Sequence, residues 1–138
     1  MSPGKEFEKL FSESVKPECF LVRLNDSPRG SKDEKNICDF LVHDGETLYG
    51  IELKSYGSDT IPFHPAHIKD YQIDGLVSMS DRNKCFGFFL LNFRKSNITI
   101  GVPAYYIKHL RDTKKKKSIS VEQAIKNGRK WEEIHFFK

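Results

Sequence analysis

The chain has 138 residues, 38% of them hydrophobic and 30% charged, with a formal net charge of +4. That suffices for one domain with a real core, spanning 1–138, and hardly for two. It excludes a disordered chain, and no apolar run approaches the length of a membrane-spanning helix. Residues 3–15 read as a helix in which Phe7, Leu10, Phe11 and Val15 recur at the helical period and form a core stripe. Glu8 flanks that stripe, where it is either an ordinary surface acid or turned toward the sheet. Pro17 breaks the helix. Residues 19–24 read as a strand, too continuously apolar at Phe20-Leu21-Val22 for a fully exposed edge. Residues 25–36 form a polar loop with no apolar anchor. Arg23, Asp26, Ser27, Arg29 and Lys32 are its candidates for phosphate contact, a flexible surface connection being the equal alternative.

Residues 37–54, I-C-D-F-L-V-H-D-G-E-T-L-Y-G-I-E-L-K, carry the strongest local signal. Asp44-Gly45 between alternating apolar residues marks a hairpin. A two-residue loop sets His43 against Glu46, Leu41 against Leu48 and Asp39 against Gly50. Cys38, Phe40 and Val42 then share an apolar face with Tyr49, Ile51 and Leu53. Asp39, Gly50, Glu52 and Lys54 share the other, with Glu52 diagonal to Asp39 and Gly50 leaving a space above the sheet. Two carboxylates and an amine thus converge on one spot. A solvated polar face would look the same, but Ile37 and Leu41 lie on that face too.

Residues 55–64 read as a loop, after which Pro65 can open a helix. Ile68, Tyr71, Ile73, Leu76 and Val77 give that helix an apolar side, and Gln72 lies among them. His64 and His67 have no His or Cys partner nearby and read as loop and helix-start residues. Residues 85–93, C-F-G-F-F-L-L-N-F, predict a central strand buried on both faces. Residues 98–102 predict a further strand and 104–111 a helix. Lys114, Lys115, Lys116 and Lys117 follow; such a cluster suits a polyanion or simply a solvated loop. Ser120 with Gln123 resembles a capping box opening a helix that Gly128 ends, and residues 131–137 predict a terminal strand. The basic loop 111–119 and the segment 120–138 are expected as peripheral additions. Cys19, Cys38 and Cys85 are far apart and lack a zinc spacing, so buried free thiols are expected. The start, Met-Ser-Pro-Gly-Lys-Glu, has no signal-peptide character, and a cytoplasmic protein is expected. The predicted fold class is α/β, a central mixed sheet flanked by helices, since the hairpin must be antiparallel.

Asp39 followed thirteen residues later by Glu52-Leu53-Lys54 resembles the core of the PD-(D/E)XK nuclease superfamily. Cys38-Asp39 stands where that family often has Pro-Asp. Within it, Gly4-x-x-Phe7-Glu8, Pro62-Phe63 followed by Gln72, Gly87-Phe88-Phe89-Leu90-Leu91 and Val102-Pro103-Ala104 resemble motifs of Holliday junction resolvases of the RecU type, over most of residues 4–112. Tyr71 departs from that pattern, where His often precedes the Gln, and the chain is shorter than the usual bacterial members. A compact or phage-like member in a bacterial or phage-infected cell would fit.

The resemblance implies a restriction-endonuclease-like core and a magnesium site, with manganese able to substitute. Asp39, Glu52 and the Leu53 backbone carbonyl are its implied ligands, with Glu8 supporting a second ion or a water. Lys54 is implied as the charge that stabilises the phosphoryl group, and Gln72 as the residue that orients the site. It further implies cleavage of branched, four-way DNA by a homodimer with no membrane partner. DNA contacts are expected from Arg23, Ser27, Arg29, Lys32 and Lys114 to Lys117. The rival readings are another nuclease on the same core, of restriction or repair type, and a non-catalytic DNA-binding module.

Overall fold

The computed structural model describes residues 1–25, 35–63 and 67–138. Asp26, Ser27, Arg29 and Lys32, and also His64 and Pro65, lie outside the described residues. Helix α1 (Pro3–Ser14) opens at Ser2, whose hydroxyl accepts the Lys5 N–H at 3.3 Å. Pro3 sits where a missing N–H is harmless. Phe7, Phe11 and Val15 are buried, but Leu10 is 56% exposed. The buried stripe is therefore a single i, i+4 row, and Leu10 projects about 100° away from Phe11 around the axis.

A six-stranded sheet has the order β1-β2-β3-β5-β6-β8. Its strands are β1 (Phe20–Arg23), β2 (Phe40–His43), β3 (Leu48–Tyr56), β5 (Cys85–Phe93), β6 (Ile98–Pro103) and β8 (Arg129–Lys130). The central pair β3–β5 is parallel and the other pairs are antiparallel, so the sheet is mixed, as expected. A parallel pair needs a crossover, supplied here by β4 (Thr60–Pro62) and α2 (Asp70–Ser80). Helix α3 (Ala104–Asp112), β7 (Ser118–Ser120) and α4 (Val121–Asn127) follow, with β7 pairing β4 in a small second sheet.

Two cores lie on the two sheet faces. On one, Phe7 and Phe11 of α1 pack with Phe40, Val42, Ile51, Leu53, Phe88 and Leu90, closed by Phe136 and Phe137. On the other, Ile73 and Leu76 of α2, Ile107 of α3 and Ala124 of α4 cover Phe89, Leu91 and Val102. Among the described residues no helix is long and apolar enough to cross a membrane.

β1 is one of the two edge strands; Phe20 is 68% exposed, while Leu21 and Val22 are half-buried, so the edge is not fully exposed. Several expectations are corrected. β3 runs on to Tyr56 and β4 follows, where a loop was expected over 55–64; a three-residue strand is too short to show periodicity. Residues 131–137 are not a strand. Trp131–Glu133 forms a 3₁₀ turn, and the Trp131 and Phe137 rings stack at 4.1 Å. Residues 120–138, expected at the periphery, contribute buried Val121, Ala124, Phe136 and Phe137 to the two cores. All three cysteines are free thiols, but only Cys38 is buried.

The hairpin register also differs. The observed pairs are Phe40–Ile51, Leu41–Gly50, Val42–Tyr49 and His43–Leu48, two residues away from the predicted register. Asp44 is not a central turn residue. Its Oδ1 accepts the N–H groups of Glu46 (2.9 Å) and Thr47 (2.8 Å), an Asx turn that places Gly45 and Glu46 at the centre. Gly45 has φ +101°, and Asp44 is not among the described non-glycine residues of positive φ. A slip of two keeps the paired residues of β2 and β3 on their predicted faces, Phe40 and Val42 with Ile51 and Leu53. Gly50, however, lies opposite Leu41, and no space remains above it: a Cβ there would meet Met79 Sδ at 2.5 Å.

Candidate active site

Glu52 sits near the middle of β3, on the face that α2 covers, and is only 5% exposed. Two donors converge on its Oε2: Lys54 Nζ at 3.1 Å and Gln72 Nε2 at 2.9 Å. Lys54 is there because residues two apart on a strand share a face. Gln72 is there because α2 lies unusually close to the sheet. Gly50 and Gly87 are paired across β3 and β5, and a Cβ on Gly87 would come 2.4 Å from the Leu76 carbonyl oxygen. The bare backbone of the two glycines lets the helix down, and Gln72, one turn before Leu76, reaches Glu52. The Lys69 N–H donates to Gln72 Oε1 (3.3 Å), which leaves the amide NH₂ for the carboxyl group.

Asp39 arrives by a different device. Its N–H donates to the Ile51 carbonyl at 3.1 Å, although Ile51 is the partner of Phe40. Two residues thus face one, which is the arrangement of a β-bulge, a feature that re-aims side chains beside functional sites. Asp39 Oδ2 accepts the Leu53 N–H at 2.9 Å, the bond a further rung of the ladder would have made. The extra residue also reverses the alternation ahead of it. Cys38, expected with Phe40 and Val42, packs instead in the core on the α2 face. The N–H and C=O of an extended residue project from the same strand edge, so the Leu53 carbonyl lies on the edge where Asp39 sits.

The two carboxyl groups lie close enough to act on each other's ionisation. Burial, then the neighbouring Asp39 charge, pushes Glu52 up to about 8, against the pull of Lys54. Burial also raises Asp39, opposed by the Leu53 N–H, while the charge of Glu8 adds to the rise. Each carboxyl group opposes the ionisation of the other, so both are held above their ordinary values.

The structure thus gathers Glu8, Asp39, Glu52, Lys54 and Gln72, with Glu8 at the margin. Glu8 Oε2 accepts from Arg23 Nη2 at 2.8 Å, so Arg23 reaches the site as the partner of Glu8 and also bonds Asn25. Lys114 to Lys117 are exposed on the turn between α3 and β7; among the described residues no bond links them to the carboxyl pair. Arg111 is engaged by Asp70, Asp74 and Asp112 and ties α3 to α2. His67, set aside on sequence grounds, stands edge-on to Tyr56 at 4.5 Å, and burial followed by the charge of Lys54 lowers its pKa. The sequence offered no partner for it, since the approach of residue 67 to β3 is tertiary.

The donor set suits a hard divalent cation. Two carboxylates and a backbone carbonyl offer oxygen alone, and the raised Glu52 pKa marks a place where positive charge is wanting. Among the described residues no group of three or more His, Cys, Asp or Glu side chains gathers around one point.

No family model and no curated protein matches the chain. Among solved structures, the chain is similar to Hjc, a Holliday junction resolvase from the archaeal hyperthermophile Archaeoglobus fulgidus. The TM-score is 0.64 at 19% identity, over 92% of this chain and 95% of that one. The likeness is one of fold, and it extends over nearly the whole of both chains.

Proposed function

We propose that the chain is a magnesium-dependent, structure-selective endodeoxyribonuclease that resolves four-way DNA junctions by phosphodiester hydrolysis. One observation carries this reading: Glu52 is buried beside Asp39 with Lys54 and Gln72 on a single carboxyl oxygen. A purely structural carboxyl pair would be poorly placed here, since partly desolvating two adjacent acids is costly even with Lys54 and Gln72 as partners. The fold shared with an archaeal junction resolvase adds support, and the RecU-type motifs point the same way.

Asp39, Glu52 and the Leu53 carbonyl would hold the ion, manganese substituting for magnesium. When bound, a divalent cation supplies the charge that makes a water nucleophilic and stabilises the leaving oxygen. The chain's own residues do the rest. Gln72 and the Leu53 N–H fix one oxygen of each acid, so the carboxyl groups need no reorganisation. Lys54, held by Glu52, offsets negative charge building on the phosphoryl group. Glu8 adds negative charge beside Asp39 and supports a second ion or a water. Symmetric cutting of a four-way junction calls for two sites related by a two-fold axis, hence a homodimer acting on DNA in the cytoplasm.

The test is cleavage of a synthetic four-way junction with magnesium, run beside linear duplex and flap substrates. Wild type, sedimenting as a dimer, nicks two opposed strands of the junction. Asp39→Ala and Glu52→Ala lower the rate by roughly 100-fold or more. Equal cutting by both variants would remove the site. Preference for duplex or flap would point to a restriction or repair enzyme, and binding without cutting to a non-catalytic module.

A further inference from the structure

Beyond Lys54 the end of β3 holds a second polar constellation, on the opposite face from Glu52. Ser55 Oγ donates to Asn92 Oδ1 at 2.7 Å, and Asn92 Nδ2 donates to Thr99 Oγ1 at 3.0 Å. These three residues form a row across β3, β5 and β6. With its proton committed to Asn92, the Ser55 hydroxyl turns a lone pair outward, and Arg94 Nη1 donates to it at 3.0 Å. The Arg94 main chain is tied down as well, its N–H donating to the Tyr56 carbonyl at 2.9 Å. Gly57 leaves the guanidinium its place: a Cβ there would lie 3.1 Å from Arg94 Nη2.

The arrangement differs from that of the other anchored arginines. Arg111 is surrounded by three carboxylates, and Arg23 is paired with Glu8. Arg94 is exposed and held by a neutral hydroxyl, and among the described residues no carboxylate pairs with it. The nearby Asp59 carboxylate accepts instead from Ser96 Oγ. One of five guanidinium N–H groups is used for anchoring, so four remain, with undiminished charge. A planar, pre-oriented fork of this kind suits a phosphate oxygen pair.

We propose that Arg94, held by the Ser55–Asn92–Thr99 row, binds a DNA phosphodiester that flanks the one being cut. Its guanidinium is held by Ser55, next in the chain to Lys54 but on the other face of the sheet, so it serves a phosphate other than the scissile one. The proposal rests on the nuclease reading for which phosphate is cut, but its test reads binding alone.

The experiment is equilibrium binding of a fluorescent synthetic four-way junction in EDTA over a salt series. Arg94→Ala weakens binding roughly tenfold at low salt and makes the slope of log K against log[salt] shallower by about one. Arg94→Lys keeps the slope, because it keeps the charge. Ser55→Ala keeps the slope too, with a smaller loss, because it frees the guanidinium without removing it. A purely structural role would shift the thermal unfolding of Arg94→Ala and leave the slope at its wild-type value; that result overturns the proposal even if wild type cuts junctions. A shallower slope in a protein that cuts nothing would retain the phosphate site and discard the nuclease. A wild type that binds no DNA discards both.

Discussion

Burying Glu52 between a second carboxyl group and an ammonium makes its proton a gauge of whatever else occupies the site. Its folded-state pKa, about 8, lies above the ordinary glutamate value. The folded chain therefore holds a proton that the unfolded chain releases between about pH 4 and pH 8. The stabilisation is complete below the unfolded pKa and is lost as pH rises toward 8. Asp39, raised as well, works in the same direction. Of the groups held low, Asp44 and Asp112 titrate on the acid side of this window, and His67 works against the trend within it. In EDTA the melting temperature should therefore fall from pH 5 to pH 8, by roughly 5 °C or more. Glu52→Gln should flatten the profile, and saturating magnesium should flatten it for wild type. A wild-type profile in EDTA that is level or rises over this range would mean that Glu52 is not held protonated. At this scale much was legible from the residues. Asp39, Glu52, Lys54 and Gln72 were singled out and do meet: strand parity sets Glu52 and Lys54 on one face, whereas Asp39 arrives through the bulge and Gln72 on α2. Arg94 was not, because it is brought to the end of β3 by chain distant in sequence.

Helix α2 is the element that turns a strand pair into a site. It can do so only where the sheet presents backbone, at Gly50 and Gly87. The two glycines are not equivalent. A methyl group on Gly87 would meet the Leu76 carbonyl, which belongs to the helix backbone, whereas one on Gly50 would meet Met79 Sδ, the movable end of a side chain. Gly87→Ala should therefore cost about 1–3 kcal/mol in urea unfolding, the usual range for overpacking, and should weaken junction cleavage by lifting Gln72 off Glu52. Gly50→Ala should cost distinctly less. Equal costs would mean that α2 is not seated by backbone contact. The glycines were visible in the chain, but Gly50 read as a vacancy, because a strand pattern does not reveal which helix will lie on it. The hairpin turn was misplaced for a related reason. Asp-Gly is a strong turn signal, yet Asp44 acts through its side chain as a cap and shifts the centre by one residue. Nor does strand alternation foreshadow a bulge such as the one at Asp39. The Trp131–Phe137 stack was likewise hidden, since alternating aromatics suit a strand as well as a 3₁₀ turn packed on α1.

At the scale of the whole molecule, the crossover from β3 through α2 to β5 determines where chemistry can sit. Parallel strands leave a crevice outside their carboxyl ends, the usual place for ligands in such sheets. Glu52, Lys54 and then the Ser55–Arg94 pair follow one another toward that end of β3. The edge strand β1 brings Arg23 and, through it, Glu8 to the margin of the same region. The two aromatic and aliphatic cores hold both sheet faces closed around this line of polar groups. The central claim is that the acid pair is a cation site, and a crystal structure soaked with manganese tests it most directly. The account predicts anomalous density within roughly 2.0–2.3 Å of both the Asp39 and Glu52 carboxylates, beside the Leu53 carbonyl. Saturating manganese that leaves the pair empty, or binds only elsewhere, would contradict it.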